Sequence, residues 1–367
     1  MNGPDGRHVH ETVIVGAGGI AHAHANAVAR HADRARVRAV VDVDADRARA
    51  FAERYDIPDW GTDLAAALAG EGCSAAPALA HVCTPPGPHV ALAAACLEAG
   101  VPVLVEKPPA LSLAGVDELL AVVERTGVDV AVVFQHRFGH AGRRVAAALG
   151  EGRPLGRPLV ATCDTLWFRG DDYWDLPWRG RWDVEGGGPT MGHGIHQVDL
   201  LLALLGPWEQ VTAMVARRAR PTETEDVSAA VVRFADGTLA TVTSSLLSPR
   251  ETSVGRIDTD RATAEVEHLY GYVDADWRVT PAPGHEDAAA WWAAGVDTAA
   301  PRSSHTQQLG AVLDALDAGT TLPVSLREAR DTMDLVAATY ASAATGRPVA
   351  RGEIRPGHPW YPSMRGV

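Results

Sequence analysis

The N-terminal part of the chain repeats one pattern, a short apolar run followed by a helix-favouring segment, and this pattern restricts the fold more than any other feature. Residues 11–16 form a β-rich run that ends at glycine, and an alanine-rich stretch follows to about residue 31. Further strands are predicted at residues 37–42, 78–83, 102–106 and 128–134, and helices at 45–54, 89–99 and 112–126. Strands separated by such helices pair in parallel through right-handed crossovers. The pattern predicts a doubly wound α/β domain over residues 1–135.

The pattern changes beyond residue 135. A loop rich in Trp, Arg and Asp precedes a glycine triplet at residues 186–188, and the dipeptide Asp236-Gly237 is a hairpin signal between two apolar runs. The predicted elements are strands at 227–234 and 238–246, an alternating segment at 261–279, and helices at 195–205, 305–318 and 326–345. We expect a second domain over residues 136–367, of α+β class, with a large open and mostly antiparallel sheet. Its terminal helices have the option of packing back on the first domain.

Composition restricts the class of protein and of partner. Of the 367 residues, 46% are hydrophobic, which supports two substantial cores and excludes disorder. A formal net charge of −13 disfavours nucleic acid and anionic membranes, so the expected partner is a small molecule. The chain starts with no basic-then-apolar leader, and we expect a cytoplasmic protein. No C-x-x-C spacing relates the cysteines, so neither a metal site nor a disulfide framework is expected: Cys73, Cys83, Cys96 and Cys163.

The hexamer GAGGIA at residues 16–21 matches the phosphate-binding motif G-x-G-x-x-G with alanine in the last place. It leaves a predicted strand and opens a helix, whose positive end attracts a pyrophosphate. This context favours a dinucleotide site over a glycine-rich turn that binds nothing. The candidate cofactor contacts in the loop are Gly16, Gly18, Gly19, Ile20 and Ala21.

Asp42 stands at the end of the second predicted strand, where a ribose-binding acid belongs. Its carboxylate would accept hydrogen bonds from the adenosine ribose and repel a 2′-phosphate, which favours NAD over NADP. Arg47 lies nearby and keeps NADP open as an alternative.

Lys107 is the only lysine among 33 basic residues, and it follows the strand that ends at Glu106. A surface cation in such a chain would be expected to be arginine, although a solvated lysine is the ordinary alternative. Lysine, unlike arginine, can lose its proton when its surroundings lower its pKa. Glu106 could orient the amine. The lysine is therefore predicted to work at the carboxyl ends of the strands, where ligands bind in α/β sheets.

Four motifs in order along the chain carry a family resemblance: GAGGIA, VCTPPGPH from Val82, VEKP from Val105 and GGGPTMGHGIHQVD from Gly186. Together they resemble the glucose-fructose oxidoreductase, inositol dehydrogenase and rhizopine catabolism (Gfo/Idh/MocA) family of NAD(P)-dependent oxidoreductases. The resemblance implies an N-terminal Rossmann domain and a C-terminal open sheet that commonly mediates homodimers or homotetramers. It implies no particular substrate beyond sugars, cyclitols and related polyhydroxy compounds.

The resemblance also implies residue roles. Lys107 approaches both the nicotinamide and the substrate, and His196 is the catalytic histidine of the second domain. Hydride passes between a carbinol carbon and the nicotinamide while these two groups manage the hydroxyl proton. The residues implied to line the cofactor are Thr84, Pro85, His89 and Glu106. From the residues alone, the TPPGP segment is also explained as a rigid turn and His89 as a helix start.

One position departs from the family pattern. Many members carry an aspartate four residues before the catalytic histidine, and this chain has Gly192 there, followed by His193. Either Lys107 carries the proton, or His193 or another group substitutes, or the chemistry is not a simple dehydrogenation. The alternative for His193 is a helix-start or substrate-contact residue.

The substrate contacts are expected from the Trp- and Arg-rich stretch that ends at Trp182, since indole faces beside ionic groups suit a sugar ring. Several of these tryptophans are equally explained as core or interface residues. Arg137 follows the last strand of the first domain and would suit an anionic sugar, but a salt bridge that braces the loop explains it as well. Asp199 is a candidate to orient His196, with capping or solvent exposure as alternatives. The predicted substrate contacts are Arg137, Trp178, Arg179, His193 and Asp199.

Three functions are compatible with these residues. The leading one is an NAD-dependent dehydrogenase that acts on a secondary alcohol of a polyhydroxy compound. The second is a redox-neutral hydrolase, lyase or epimerase in which a retained NAD oxidises and re-reduces the substrate. The third is a non-catalytic sensor of NAD or sugar, which Lys107 disfavours and Gly192 mildly favours.

Overall fold

The computed structural model describes residues 9–69, 76–176 and 179–366. It forms two compact units. The first is built from the described residues of Met1–Ala110, Gly115–Val133 and His305–Ala329. The second is built from Leu111–Ala114, Phe134–Ser304 and the described residues of Arg330–Val367.

The chain up to residue 134 alternates strands with helices, as its apolar pattern predicts. The strands are β1 (His10–Val15), β2 (Ala35–Val41), β3 (Asp59–Gly61), β4 (Leu79–Val82), β5 (Val103–Val105) and β6 (Val130–Val132). The helices are α1 (Ala21–Arg30), α2 (Ala45–Tyr55), α3 (Leu64–Ala69), α4 (His89–Glu98) and α5 (Leu113–Thr126). The sequence did not predict β3 or α3. Strand β3 has three residues and an exposed Trp60, so it lacks the apolar run that marks a buried strand.

The six strands form one parallel sheet in the order β3-β2-β1-β4-β5-β6. β1 lies at its centre, where Val13 pairs with Ala39 of β2 and with Ala80 of β4. This order is that of dinucleotide-binding folds, and the chain reverses direction across the sheet beside β1. The predicted parallel doubly wound sheet is confirmed.

The remainder of the chain contributes eight helices and eight strands among the described residues. In chain order they are α6 (His140–Ala148), β7 (Pro158–Phe168), α7 (Asp171–Trp174), α8 (Trp182–Glu185), α9 (Pro189–Gly192), α10 (Ile195–Leu205), β8 (Trp208–Ala216), β9 (Val227–Phe234), β10 (Leu239–Ser245), β11 (Leu247–Thr259), β12 (Ala262–His268), β13 (Trp277–Pro281), α11 (Glu286–Ala294), α12 (His305–Ala318), α13 (Leu326–Thr345) and β14 (Val349–Ala350). No helix in the described ranges is both long enough and apolar enough to cross a bilayer.

The second sheet has the order β13-β12-β11-β7-β10-β9-β8-β14. Only the β7 and β10 pair is parallel, and the other described pairs are antiparallel, which confirms the predicted mostly antiparallel sheet. Strand β9 alternates strictly, with Val232 buried and Val231 exposed. One face of the sheet therefore packs inward and the other is open.

Helix α12 belongs to the first unit although it lies far along the chain. Its Leu309, Val312 and Leu313 share one buried cluster with Leu79 of β4 and Leu104 of β5. Burial of three large aliphatic side chains supplies roughly 1.5–3 kcal/mol each. This contact places the first residue of α12, His305, in the interior of the unit.

Candidate active site

The glycine loop after β1 is shaped for close approach of a ligand to the backbone. Gly16 has φ +95°, and a Cβ there would lie 2.8 Å from Thr84 Cγ2 and 3.1 Å from the Cys83 carbonyl. At Gly18 and Gly19 a Cβ would meet nothing within 4 Å. Gly16 is thus required by the turn, whereas the next two glycines leave open space in front of α1.

Asp42 closes this loop from the end of β2. The carboxylate is buried and accepts hydrogen bonds from the N–H groups of Ala17 (2.8 Å) and Asp44 (2.9 Å). Arg47 Nη1 lies 3.5 Å from Asp42 Oδ1. The predicted ribose-binding acid therefore lies beside the glycine loop. Arg47, which is the reason for NADP as an alternative cofactor, lies next to Asp42.

His89 links the turns that follow β4 and β5. Its ring nitrogens each lie 2.8 Å from a carbonyl oxygen, Nδ1 from that of Pro108 and Nε2 from that of Thr84. The ring is buried, and His89 is also the first residue of α4. The imidazole therefore holds the TPPGP turn, with Thr84 and Pro85 in it, against the residue that follows Lys107.

Glu106 is buried at the end of β5, whereas Lys107 is only partly buried. Oε1 of Glu106 accepts hydrogen bonds from His24 Nε2 (3.0 Å) and His305 Nε2 (2.9 Å), and Oε2 of Glu106 accepts one from the Lys107 N–H (3.2 Å). Burial alone would raise the pKa of Glu106, but the hydrogen bonds from the two imidazoles hold that pKa well below its usual range. The carboxylate is ionised and holds the backbone of the lysine.

The same three side chains offer potential metal ligands that lie within 4.8 Å of one another: His24, Glu106 and His305. The sequence predicted no metal site. The two nitrogen–oxygen distances are those of ordinary hydrogen bonds, and one proton on each Nε2 satisfies them. We therefore describe the group as a hydrogen-bonded network.

In the second unit a row of rings joins the two candidate catalytic histidines. His193 caps the C-terminus of α9, and His196 lies in the first turn of α10. Trp167 and Tyr270 lie between them. Adjacent ring centroids are 5.3 Å apart for His193 and Trp167, 6.1 Å for Trp167 and Tyr270, and 6.1 Å for Tyr270 and His196. We call Trp167, His193, His196 and Tyr270 the ring wall.

Tyr173 adds a hydroxyl at one end of the ring wall. Its oxygen lies 3.4 Å from His193 Nε2, and burial raises the pKa of the phenol to about 12. Arg179 lies over the Tyr173 ring at 4.2 Å, and Arg169 lies over Trp167 at 4.9 Å. The phenol is neutral at physiological pH and can donate a hydrogen bond.

The glycine triplet positions this wall. Glu225 accepts hydrogen bonds from the N–H groups of Gly188 (3.0 Å) and Thr190 (3.1 Å) and from the Tyr340 hydroxyl (2.9 Å). A Cβ at Gly188 would lie 2.0 Å from the Glu225 carbonyl oxygen. Only glycine permits the backbone to approach Glu225 this closely. The contact fixes the start of α9 and hence the position of His193 at its end.

The arginines near the ring wall have acidic partners. Arg169 Nη1 lies 2.9 Å from Glu251 Oε1, and Arg179 Nη1 lies 2.6 Å from Glu185 Oε1. The arginine charges are therefore balanced within the protein, including that of the predicted substrate contact Arg179. The other predicted contact in this stretch, Trp178, lies outside the described residues.

Arg137 forms the salt bridge that was the alternative to binding an anionic sugar. Its Nε and Nη2 donate to the two oxygens of Asp199 at 2.6 and 2.7 Å, and Thr332 Oγ1 donates to the same carboxylate at 3.0 Å. Asp199 is fully buried, which excludes the solvent-exposed alternative. The pair ties the segment after β6 to α10.

Two models of one family match consecutive parts of the chain. The oxidoreductase family model with an NAD-binding Rossmann fold matches residues 10–134, and the GFO/IDH/MocA C-terminal domain matches residues 143–267. The chain belongs to the Gfo/Idh/MocA oxidoreductase family. Its first unit is accordingly an NAD-binding Rossmann domain, as the glycine loop predicts.

Three similar proteins have names or bound ligands from carbohydrate chemistry. D-glucoside 3-dehydrogenase of Escherichia coli (strain K12) is 31% identical over 160 residues, which are 43% of this chain and 43% of that protein. D-apiose dehydrogenase of Paraburkholderia graminis is 27% identical over 319 residues, 82% of this chain and 79% of that protein. The WlbA dehydrogenase of Bordetella pertussis, solved with NADH and UDP-GlcNAcA, is 27% identical with a TM-score of 0.78, covering 94% of this chain and 99% of the other. The match to the first of these spans less than half of its length.

The first unit of this family member fits a nicotinamide dinucleotide. Gly18 and Gly19 leave room for a pyrophosphate before the N-terminus of α1, which begins at Ala21 directly after the half-buried Ile20. Asp42 supplies a carboxylate for ribose hydroxyls. These residues would hold the cofactor.

Sequence reasoning missed several residues of both units. His24 stands three positions beyond the phosphate motif, and Tyr173 lies within the Trp- and Arg-rich loop. His305 and Tyr270 carry no local signal, because they meet their partners only through the fold.

Proposed function

We propose that this protein is an NAD-dependent dehydrogenase that transfers hydride between a secondary alcohol of a sugar, cyclitol or related polyhydroxy compound and nicotinamide. Residues 1–135 bind the cofactor and residues 136–367 the substrate. The observation that carries the proposal is the single lysine, Lys107, at the end of β5 in an NAD-binding Rossmann unit. A titratable amine at this strand end has a use in alcohol oxidation that arginine lacks.

The proton chemistry falls to two side chains. The nicotinamide, when bound, accepts or supplies the hydride. Lys107 of the first unit hydrogen-bonds the reacting hydroxyl and exchanges its proton, and His196 of the second unit is the other acid–base group. Help of this kind is typically worth about 10²–10⁴ in rate.

The ring wall supports a carbohydrate substrate. The C–H face of a sugar packs on indole and phenol rings, while the hydroxyls reach the histidines and the Tyr173 hydroxyl. Arg137, Arg169 and Arg179 are each paired with a carboxylate, so their charges do not by themselves require an anionic substrate. The relatives named for D-glucosides and D-apiose support the same class.

Asp42 supports NAD over NADP. Its carboxylate is buried beside the glycine loop and would meet the 2′-phosphate of NADP with like charge.

Lys107→Arg tests the proposal. A panel of sugars, uronates, inositols and aminosugars is assayed with NAD and NADP by NADH absorbance, and the variant is compared with wild type on the best substrate. We expect turnover to disappear while NADH binding, followed by fluorescence titration, stays within about twofold of wild type. An undiminished rate in the variant would refute the role of Lys107.

A second candidate is redox-neutral conversion of the substrate with retained NAD. Its basis is the departure at Gly192, which leaves open a chemistry other than simple dehydrogenation; a Cβ there meets nothing within 4 Å, so packing does not forbid the aspartate that many family members carry. Steric crowding therefore does not explain why this chain has no aspartate at position 192. Substrate conversion with no net NADH would establish the second candidate over the first.

The open face of the second sheet supports a homodimer or homotetramer. Its exposed apolar side chains include Met214 (80% exposed), Val231 (52%) and Val160 (50%) on β8, β9 and β7. Large apolar side chains exposed on one sheet face support an interface there. Val231→Glu together with Met214→Glu should lower the mass measured by light scattering, and an unchanged mass would contradict this interface.

A further inference from the structure

The hydrogen-bonded network introduced above extends through His24 to His81, so that it comprises four buried side chains of the first unit. His24 comes from α1, His81 from β4, Glu106 from the end of β5 and His305 from the first residue of α12. Each is less than a tenth exposed. The network therefore connects two strand ends of the parallel sheet to a helix from the far end of the chain.

The contacts define one consistent assignment of protons to the ring nitrogens of His24 and His81. Burial lowers the pKa of His24 and His81, so both rings are neutral at physiological pH. His24 Nδ1 lies 3.0 Å from His81 Nδ1. If His24 donates from Nε2 to Glu106, its Nδ1 is an acceptor, and His81 must be the donor. His81 thus fixes the tautomer in which His24 can hold the carboxylate.

Glu106 accepts three donors and has one orientation as a result. His24 and His305 both donate to Oε1, and the Lys107 N–H donates to Oε2. Hydrogen bonds to an ionised carboxylate are about twice as strong as those between neutral groups. The carboxylate is therefore a rigid connection from two imidazoles to the backbone of Lys107.

We infer that His24 and His305 are positioning residues for Lys107, because they hold the Glu106 carboxylate that in turn fixes the lysine backbone. This inference rests on the proposed function, in which Lys107 exchanges the substrate proton. Misplacement of a reacting group by about 1 Å can cost about 10² in rate. Loss of either imidazole therefore lowers kcat and leaves cofactor binding at the glycine loop nearly unchanged.

The role of His305 depends on the docking of α12. The separation along the chain between His305 and Glu106 is 199 residues, and the apolar contacts of α12 with β4 and β5 bring them together. The second imidazole donor to Glu106 is therefore present only when this helix is in place.

The single lysine permits a direct test without an activity assay. Protein labelled with ¹⁵N only in lysine gives one backbone amide signal, that of Lys107, whose N–H donates to Glu106. We compare wild type with His305→Leu, which removes the donor, and with His305→Gln, which keeps an N–H at a similar reach. His31→Leu is the matched control, because His31 Nε2 lies 2.9 Å from the Thr306 carbonyl in the same helix turn and the ring is not part of the network.

The expected result is a shifted Lys107 amide signal in His305→Leu, with kcat lower by about tenfold or more and the Kd for NADH within about twofold of wild type. His305→Gln should restore most of both readouts, and the control should change neither. An unmoved signal in a folded His305→Leu, or equal losses in the Leu and Gln variants, would overturn the inference.

Two further measurements keep the outcomes distinct. If His305→Leu does not fold, His24→Leu, which removes the other imidazole donor to Glu106, is measured in its place, with the same expected shift of the Lys107 signal. One equivalent of zinc in purified wild type, absent from His305→Leu, would overturn the hydrogen-bonded network in favour of a metal site. If Lys107→Arg retains activity but the amide signal behaves as expected, the proposed function fails and the network stands.

Discussion

Replacing Gly16 with alanine should destabilise the first unit by about 2–5 kcal/mol. The residue has φ +95°, and a left-handed backbone costs an L-residue about 1–2 kcal/mol. The new Cβ would lie 2.8 Å from Thr84 Cγ2 and 3.1 Å from the Cys83 carbonyl, and overpacking of this kind costs about 1–3 kcal/mol. At roughly 2–4 °C per kcal/mol for a unit of this size, Tm should fall by roughly 4–20 °C.

Gly18→Ala is the matched variant in the same loop. Its Cβ meets nothing within 4 Å, so stability should stay within about 0.5 kcal/mol of wild type. The added methyl occupies the space that a pyrophosphate needs, and NADH affinity should fall by about tenfold, or about 1.4 kcal/mol. Gly16→Ala therefore tests the backbone conformation of the turn through stability, and Gly18→Ala tests the ligand space through NADH affinity.

Thermal unfolding of the protein without added cofactor, followed by circular dichroism, measures the first effect, and fluorescence titration with NADH measures the second. Thr84→Ser in the Gly16→Ala background removes the methyl group involved in the closest contact and should recover part of the loss. The reasoning is refuted if Gly16→Ala melts within 1 °C of wild type, or if Gly18→Ala binds NADH as wild type does.

Three further predictions concern cofactor choice, the substrate side and pH. Asp42→Ser removes the charge that opposes a 2′-phosphate, so the kcat/KM ratio for NADP over NAD should rise by about tenfold or more; an unchanged ratio would argue against this role. Tyr173→Phe removes the hydroxyl 3.4 Å from His193 Nε2 and should lower kcat by about three- to tenfold with NADH affinity unchanged, and equal kcat values would exclude Tyr173 from the chemistry. Burial raises the pKa of Asp334 to about 6 from 3.8, so the folded state holds its proton more tightly and stability falls as pH rises through this interval. Asp334→Asn should therefore be more stable than wild type at pH 7 by about 2–3 kcal/mol and lose this pH dependence in urea titrations, whereas identical profiles would contradict the shift.

The sequence predicted elements best where a strong local pattern coincides with burial. The helices at residues 195–205, 305–318 and 326–345 have the predicted bounds, and the Asp236-Gly237 turn joins β9 to β10 as expected. Strand β11 was not predicted, because one of its faces lies in water and its charged residues break the apolar pattern. A half-exposed strand is defined by its partners rather than by its own composition.

Single residues likewise divide into those that a local sequence pattern predicts and those whose partners depend on the fold. Asp42 and Gly16 were found from their spacing, because the nucleotide loop is a local structure in which each position has its own steric requirement. For Arg137 the sequence left an anion site and a salt bridge open, and the structure shows the salt bridge to Asp199. For Glu106 it suggested a partner in the lysine amine, and the structure shows two imidazoles and an amide.

The sequence by itself therefore determined the parallel sheet, the glycine loop at its centre and the place of the one lysine at a strand end. Each of these follows from residues within about thirty positions of one another, whose periodicity and turn chemistry act locally. The tertiary structure alone decided that Glu106 is held by His24 and His305, and that His193 and His196 lie on one wall of rings. Those contacts depend on strand order and on the docking of α12, which brings residues 199 positions apart into one hydrogen bond.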